Sequence, residues 1–262
     1  MFEARSIGGK LLIQLVLTVL AIPFLLPLIA MVQGSLQGLG WRNYLTVLSV
    51  PEVPLFFRNT IALSAITIVI VYALTMMAAF GFAKTRIRGK QFFYWALLVA
   101  LTLPEVVLIT PLFLAVAASG LYNTIFAVLI PLAALQIPFT VLLTRTFVEG
   151  IPDSLLEAVR IDGASTWQGF WHVILPLTRP IGAAIIVLTL IGTWNTYLLP
   201  LLFLSDPSSQ VLTQLPGFFQ GRYNDDQTKV LASAVITAFP VIVAYLSLQK
   251  LFERGLAAGA LK

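Results

Sequence analysis

Six stretches of about 20 predominantly apolar residues divide this chain of 262 residues, and an α-helix of that length is what crosses the ~30 Å hydrocarbon core of a bilayer. They run over 11–32, 60–83, 91–112, 125–144, 181–203 and 230–249. Hydrocarbon offers backbone N–H and C=O groups no water, so a spanning segment satisfies them within its own helix. The pattern therefore predicts an all-α membrane protein with six transmembrane helices. Composition agrees: 59% of residues are hydrophobic and 10% charged, where a soluble domain carries about 25% charged residues. Nothing in the chain suggests a second, soluble domain, so residues 1–262 are read as a single transmembrane domain. The first run, Leu11 to Val32, exceeds the ~7–15 residues of a signal-peptide core and reads as an uncleaved anchor.

The formal net charge of +5 invites a nucleic-acid partner, but the basic residues sit between the apolar runs, where membrane topology places them. With the N-terminus inside, the cytoplasmic segments hold Arg5 and Lys10; Lys84, Arg86, Arg88 and Lys90; Arg145, Arg160 and Arg179; and Lys250, Arg254 and Lys262. Arg42, Arg58, Arg222 and Lys229 fall outside. That is 12 of the 16 Lys and Arg residues inside, which predicts cytoplasmic N- and C-termini. Lipid is then an expected partner and nucleic acid is not. The absence of Cys excludes disulfides and thiolate metal sites. A single histidine, His172, excludes a histidine-rich metal cluster. The outer connections, 33–59 and 204–229, carry aromatic residues such as Trp41, Tyr44 and Phe218. Interfacial anchoring accounts for these, as does docking of an extracytoplasmic partner.

The long inner connection, about 145–180, carries the most specific signal. Two capping-box patterns occur, Ser154-x-x-Glu157 and Ser165-x-x-Gln168, each able to satisfy early backbone N–H groups. Gly163 lies between them, at a turn suited to a residue free to take positive φ. Trp167, Phe170, Trp171 and Ile174 recur at helical spacing as an apolar stripe. His172 falls on the polar flank of that stripe. Pro176 and Pro180 then limit the helix. The residues thus predict a short helix, a turn and an amphipathic helix at the membrane surface.

This connection resembles the EAA loop of ABC importer permeases, E-A-A-x-x-x-G, nine residues, then I-x-L-P. The match runs through Glu157, Ala158, Val159, Gly163, Val173, Leu175 and Pro176, with Val159 standing for Ala and Val173 for Ile. Asp162-Gly163-Ala164-Ser165 and Pro180 are similar to the carbohydrate-importer, maltose-transporter branch. So are Phe57-Arg58-Asn59-Thr60, Trp194-Asn195-Thr196-Tyr197, and the ending Gly255-Leu256-Ala257-Ala258-Gly259-Ala260-Leu261-Lys262. The resemblance implies a type I importer permease fold in a bacterial or archaeal plasma membrane, forming half of a path for a sugar-like solute. It also implies a second permease subunit, two ATPase subunits or an ATPase homodimer, and an extracytoplasmic solute-binding protein. Glu157, Ala158, Asp162, Gly163, Leu175 and Pro176 would then couple the chain to an ATPase. The chain has no G-x-x-x-x-G-K-[ST]: Gly9-Lys10 and Gly89-Lys90 are followed by Leu11 and Gln91. It lacks the usual phosphate cradle, so no cofactor is expected in this chain, and ATP and Mg belong to the partner ATPases.

Candidates for the solute path are Glu105, Gln136, Thr193, Asn195 and Tyr197, which supply the carboxylate, amide and aromatic groups that sugar recognition uses. Glu105 is the acid placed inside a span, where an ionisable group usually faces a cavity or a partner. The same residue types also make interhelical hydrogen bonds. Prolines 104, 111, 131, 138, 200 and 240 are read as local breaks in the spans. Two alternatives stand beside a carbohydrate permease. One is a permease of another ABC import class, such as phosphate or amino acids. The other is a membrane-embedded enzyme, for which one His and no Cys leave few catalytic constellations. Topology is directly measurable: cysteine labelling at Gly89 and Gly259 is expected to report the cytoplasmic side, and at Gly217 the outer side. A cytoplasmic Gly217 would overturn the six-span arrangement.

Overall fold

The computed structural model describes residues 7–220 and 226–260; Arg5, Arg222, Leu261 and Lys262 lie outside the described residues, as do the side chains of Arg254 and 256–260. All regular structure among the described residues is helical. In chain order the helices are α1 (Ile7–Ser35), α2 (Arg42–Leu48), α3 (Val53–Lys84), α4 (Lys90–Leu101), α5 (Glu105–Ala118) and α6 (Ile125–Glu149). There follow α7 (Asp153–Ile161), α8 (Thr166–Leu177), α9 (Arg179–Trp194), α10 (Leu198–Phe203) and α11 (Gln227–Ala260). A 3₁₀ stretch, Leu212–Phe219, lies between α10 and α11. Four helices, α1, α3, α6 and α11, are long and apolar enough to cross a membrane, and the bent pairs α4–α5 and α8–α9 raise the number to six if each is one span.

The chain divides into two compact units, 1–53 with 215–239 and 54–214 with 240–262. In the first, the end of α1 is tied to α2. Asn43 Nδ2 donates to the carbonyls of Ser35 and Gln37, both at 2.8 Å. Ser35 Oγ and Tyr44 OH share a hydrogen bond. The rest of α1 keeps its apolar surface exposed.

The second unit has two apolar clusters. One gathers Val71, Phe80, Val148, Phe170, Ile174 and Ile185 from α3, α6, α8 and α9. The other gathers Leu63, Val116, Leu132, Leu199 and Phe203 from α3, α5, α6 and α10. Between members of the two clusters along α3, α6 and α9 fall Ser64, Thr67, Gln136, Thr189 and Thr193. Thr75 and Thr140 join α3 to α6 through a hydroxyl pair at 2.7 Å. Such bonds hold spans together without a hydrophobic driving force between them.

Two spans read as single helices are broken. Over 91–112 the chain bends by 108° between α4 and α5. Pro104 has no N–H and disfavours helical backbone at Leu103, while Thr102 Oγ1 donates to the Val99 carbonyl at 2.7 Å. Over 181–203 the helix stops at Asn195-Thr196-Tyr197 and restarts as α10. The other prolines do not break the chain: Pro111, Pro131, Pro138 and Pro240 lie inside continuous helices, and Pro200 lies inside α10. A proline forfeits one helical bond, and a packed helix continues through that loss.

Gly255 explains one motif of the C-terminal tail. It is buried where α11 meets the start of α9, and a Cβ there would clash with the Pro180 carbonyl and lie 2.9 Å from Ala184 Cβ. Gly255→Val is therefore expected to lower stability by about 1–3 kcal/mol, the usual cost of overpacking. Thermal unfolding in detergent measures it, and an unchanged melting temperature would contradict the close approach.

Candidate functional site

The inner connection folds as a helix, a turn and a second helix, with differences at its start. Pro152 is extended and precedes α7, so Asp153 opens the helix and Ser154 falls inside the first turn. The expected Ser154–Glu157 capping box is absent: the N-cap makes no side-chain hydrogen bond. The acidic first residue instead faces the positive end of the helix dipole. At the other end, Gly163 has φ +78°. Its N–H donates to the Arg160 carbonyl at 3.1 Å, and the Ala164 N–H to the Val159 carbonyl at 3.0 Å. This pair of bonds is a Schellman motif, which closes a helix with a left-handed residue.

The second capping box forms as expected. Gln168 N–H donates to Ser165 Oγ at 3.2 Å, and Ser165 N–H donates to Gln168 Oε1 at 2.7 Å. The following helix widens to a π turn over Phe170–Ile174, with Leu175 N–H bonded to the Phe170 carbonyl. The aromatic stripe divides. Phe170 and Ile174 are 2% and 1% exposed, whereas Trp167 and Trp171 remain half-exposed. Trp167 stacks on Phe170 at 5.3 Å, and both tryptophans line an apolar crevice with Tyr72, Met76, Met77 and Leu175. His172 is exposed, its Nδ1 3.0 Å from the Gln168 carbonyl. Leu175 and Pro176 are half-buried. Thr178 then turns the chain 75° into α9, its buried hydroxyl donating to the carbonyls of Ile174 and Leu175.

α7 has two unlike faces. Inward, Leu156 is buried and Val159 half-buried; both sit where a Cβ on Gly169 would come within 3.3 Å of them. Outward, Ser154, Glu157, Ala158 and Ile161 are exposed, and Ile161 is 85% exposed. These four recur at i, i+3, i+4 and i+7, the spacing of one helix face. Asp162 is exposed at the turn. Beside α7 lies a cleft of about 500 Å³ lined by Lys84, Arg86, Lys90, Asp153, Glu157 and Arg160. Lys84 Nζ donates to Asp153 Oδ1 and to the Ile151 carbonyl, each at 2.6 Å. The hydrogen bond and charge of Lys84 hold the Asp153 carboxyl below the usual carboxylate range.

The path candidates are only partly gathered. Gln136 Nε2 donates to Thr193 Oγ1 at 3.4 Å, across α6 and α9. Asn195 is exposed and its Nδ2 donates to the Ile191 carbonyl at 3.0 Å, closing α9. Tyr197 is exposed at the break before α10, and Glu105 is exposed in the first turn of α5. No hydrogen bond among the described residues links Glu105 to the other four. Thr144, about two turns along α6 from Gln136, is buried and bonded to the Thr140 carbonyl.

Sequence reading missed three sets of residues. Asn59 and Thr60, quoted only for their resemblance, pin the chain before the 3₁₀ stretch. Asn59 Nδ2 donates to the carbonyls of Ser208 and Gln210 at 2.9 Å, and Thr60 Oγ1 accepts from Leu212 N–H at 2.8 Å. Asn123, at φ 62°, accepts through Oδ1 from the N–H groups of Ser205 and Asp206. Its signal was a polar residue in a turn, common to many turns. Lys84 carried only a charge in the topology count. No group of three or more His, Cys, Asp or Glu residues among those described could hold a metal ion.

Residues 72–258 match the family described as binding-protein-dependent transport system inner membrane component. Over 226 residues the chain is 30% identical to the diacetylchitobiose uptake system permease protein NgcG of Streptomyces coelicolor, covering 85% of this chain and 75% of that one. It is 30% identical over 207 residues to the melibiose/raffinose/stachyose import permease protein MelC of Bacillus subtilis, covering 79% and 75%. The fold superposes with a TM-score of 0.79 on a bacterial ABC transporter involved in the import of the acidic polysaccharide alginate, at 26% identity and over 96% of this chain and 99% of that one.

Proposed function

Because the chain belongs to the family of binding-protein-dependent transport system inner membrane components, we propose that it forms half of the translocation path of an ATP-driven importer for a sugar or oligosaccharide. The family is a multi-pass transport component and not an enzyme. In this reading the bent pair α4–α5 counts as one span and so do α9 and α10 together, giving six with α1, α3, α6 and α11, while α8 lies at the inner membrane surface and both termini are cytoplasmic. A second permease subunit completes the path, a solute-binding protein delivers the solute outside, and a pair of ATPase subunits binds ATP and Mg inside. The carbohydrate class is supported by the names of NgcG and MelC.

The observation that carries the reading is the outward face of α7. A helix with Leu156 buried on one side and Ile161 85% exposed on the other has a surface left for a partner. Glu157 extends from that face with no hydrogen bond or ion pair to the described residues, and the capping role that would have explained it is absent. Glu157, Ala158 and Asp162 would contact the ATPase, with Gly163, Leu175 and Pro176 setting the angle between α7, α8 and the membrane. ATP binding must favour one arrangement of the spans, since a ligand without differential affinity shifts nothing.

Glu157→Ala is expected to leave the protein in the membrane and weaken ATPase attachment by about 2–5 kcal/mol, the cost of stranding a buried charge partner. A decorative surface pair would cost about 0–1 kcal/mol. Gly163→Val adds about 1–2 kcal/mol of left-handed strain and should uncouple hydrolysis from transport, although nothing stands within 4 Å of the added Cβ. Copurification of the ATPase and solute-stimulated ATP hydrolysis in reconstituted membranes are the measurements. Wild-type values for both in Glu157→Ala would remove it from the coupling role.

Glu105, Gln136, Thr193, Asn195 and Tyr197 are assigned to the solute path. Glu105→Gln and Asn195→Ala should raise the solute concentration for half-maximal uptake about tenfold, equivalent to ~1.4 kcal/mol, with ATPase attachment unchanged. Normal uptake in both variants would make these residues packing elements only.

A further inference from the structure

Lys84 ends α3, and its side chain is 5% exposed. Its ammonium reaches the Ile151 carbonyl and the Asp153 carboxylate, each at 2.6 Å. These acceptors flank Pro152, so one cation grips both sides of the point where α7 begins. The chain enters α7 from α6, yet this bond fastens it to α3, 69 residues away in sequence. Two further contacts reinforce the same end of α3. Lys90, at the start of α4, donates to the carbonyls of Phe82 and Thr85 at 2.9 and 2.8 Å. Phe80 packs on Phe170 of α8 with ring centroids 5.2 Å apart.

We propose that Lys84 is a positioning residue that makes α3 follow α7, so that displacement of the outward face of α7 is delivered to α3 as well as to α6 and α9. Covalent continuity already joins α7 to α6, and to α9 through α8. It does not reach α3. Apolar contact alone permits sliding, because it is non-directional. Two charge-assisted hydrogen bonds from one buried ammonium fix a point, since such bonds are short, strong and directional. Asp153 is 78% exposed and so supplies the weaker, water-competed half of the grip; the Ile151 carbonyl supplies the other.

This inference rests on α7 being the ATPase contact, and the experiment separates the two. The complex of both permeases, ATPase and binding protein is reconstituted, and solute uptake and ATP hydrolysis are measured in the same vesicles. Absence of solute-stimulated hydrolysis in the wild type would sink the functional reading before Lys84 is tested. Given that stimulation, Lys84→Met should retain the ATPase and its hydrolysis, while solute moved per ATP falls about fivefold or more, the low end of typical allosteric couplings. Asp153→Asn keeps the Ile151 bond and should show a smaller fall. Lys84→Arg keeps a cation with donors for both acceptors and should recover most of the ratio. An unchanged ratio in Lys84→Met overturns the proposal. So does a proportional loss of uptake and hydrolysis, which marks a structural anchor. Should Lys84→Met fail to assemble, a wild-type ratio in Asp153→Asn overturns it equally.

Discussion

A backbone carbonyl or N–H group in hydrocarbon has no water to fall back on, and this governs where the chain departs from helix. Each departure within the proposed spans is accompanied by a short polar side chain turned back on the backbone. Thr102 serves the α4–α5 bend and Asn195 the end of α9; Thr178 does the same at the α8–α9 bend, where the fifth span begins. Thr213 reaches the Thr196 carbonyl in the gap before α10. The sequence around each break is polar because the break needs partners, and a polar residue in such a stretch is not by that fact a contact for solute. Asn195 illustrates the overlap: its amide nitrogen closes a helix while the side chain stays exposed. Capping engages the nitrogen end of that amide.

Close approach is the second organising constraint. Gly182 lets Tyr72 of α3 lie against α9, and Gly255 brings α11 to the start of α9. Gly169 does the same for α7 on α8. Membrane helices gain little from hiding apolar surface from lipid that is equally apolar, so packing depends on small residues and a few hydrogen bonds. α9 is thus approached by Tyr72 at Gly182 and, at its own start, by α11, and its buried Thr189 and Thr193 lie on the same helix face as Gly182.

The sequence pattern made the apolar runs, the helix–turn–helix of the inner connection, Gly163 and the Ser165–Gln168 capping box legible, because each depends on residues within one or two turns of each other. What it concealed depends on distance in the chain or on competition. Two capping boxes matched by letter, but Pro152 starts α7 early enough to place Ser154 beyond the N-cap. Six prolines were equivalent by residue type, and only Pro104 stands at a sharp bend between helices. The aromatic stripe was correct in spacing, yet burial separated Phe170 and Ile174 from the two tryptophans, since that depends on α3 lying alongside. The grip of Lys84 on Asp153 joins residues whose proximity no local rule contains.

α7 is nine residues long, below the ~12–15 residues at which an isolated helix becomes even marginally stable in water. It has no side-chain cap at its start. Its shape is therefore borrowed: from Lys84 at one end, from the Schellman turn at Gly163, and from the bed that Gly169 leaves for Leu156 and Val159. An emerging chain that has made residues 153–161 but not yet closed α3 and α8 around them has no such helix to offer. The exposed face with Glu157 and Ile161 consequently depends on α3 and α8 being in place, and a subunit in which they are not has no ordered face to present to whatever recognises it.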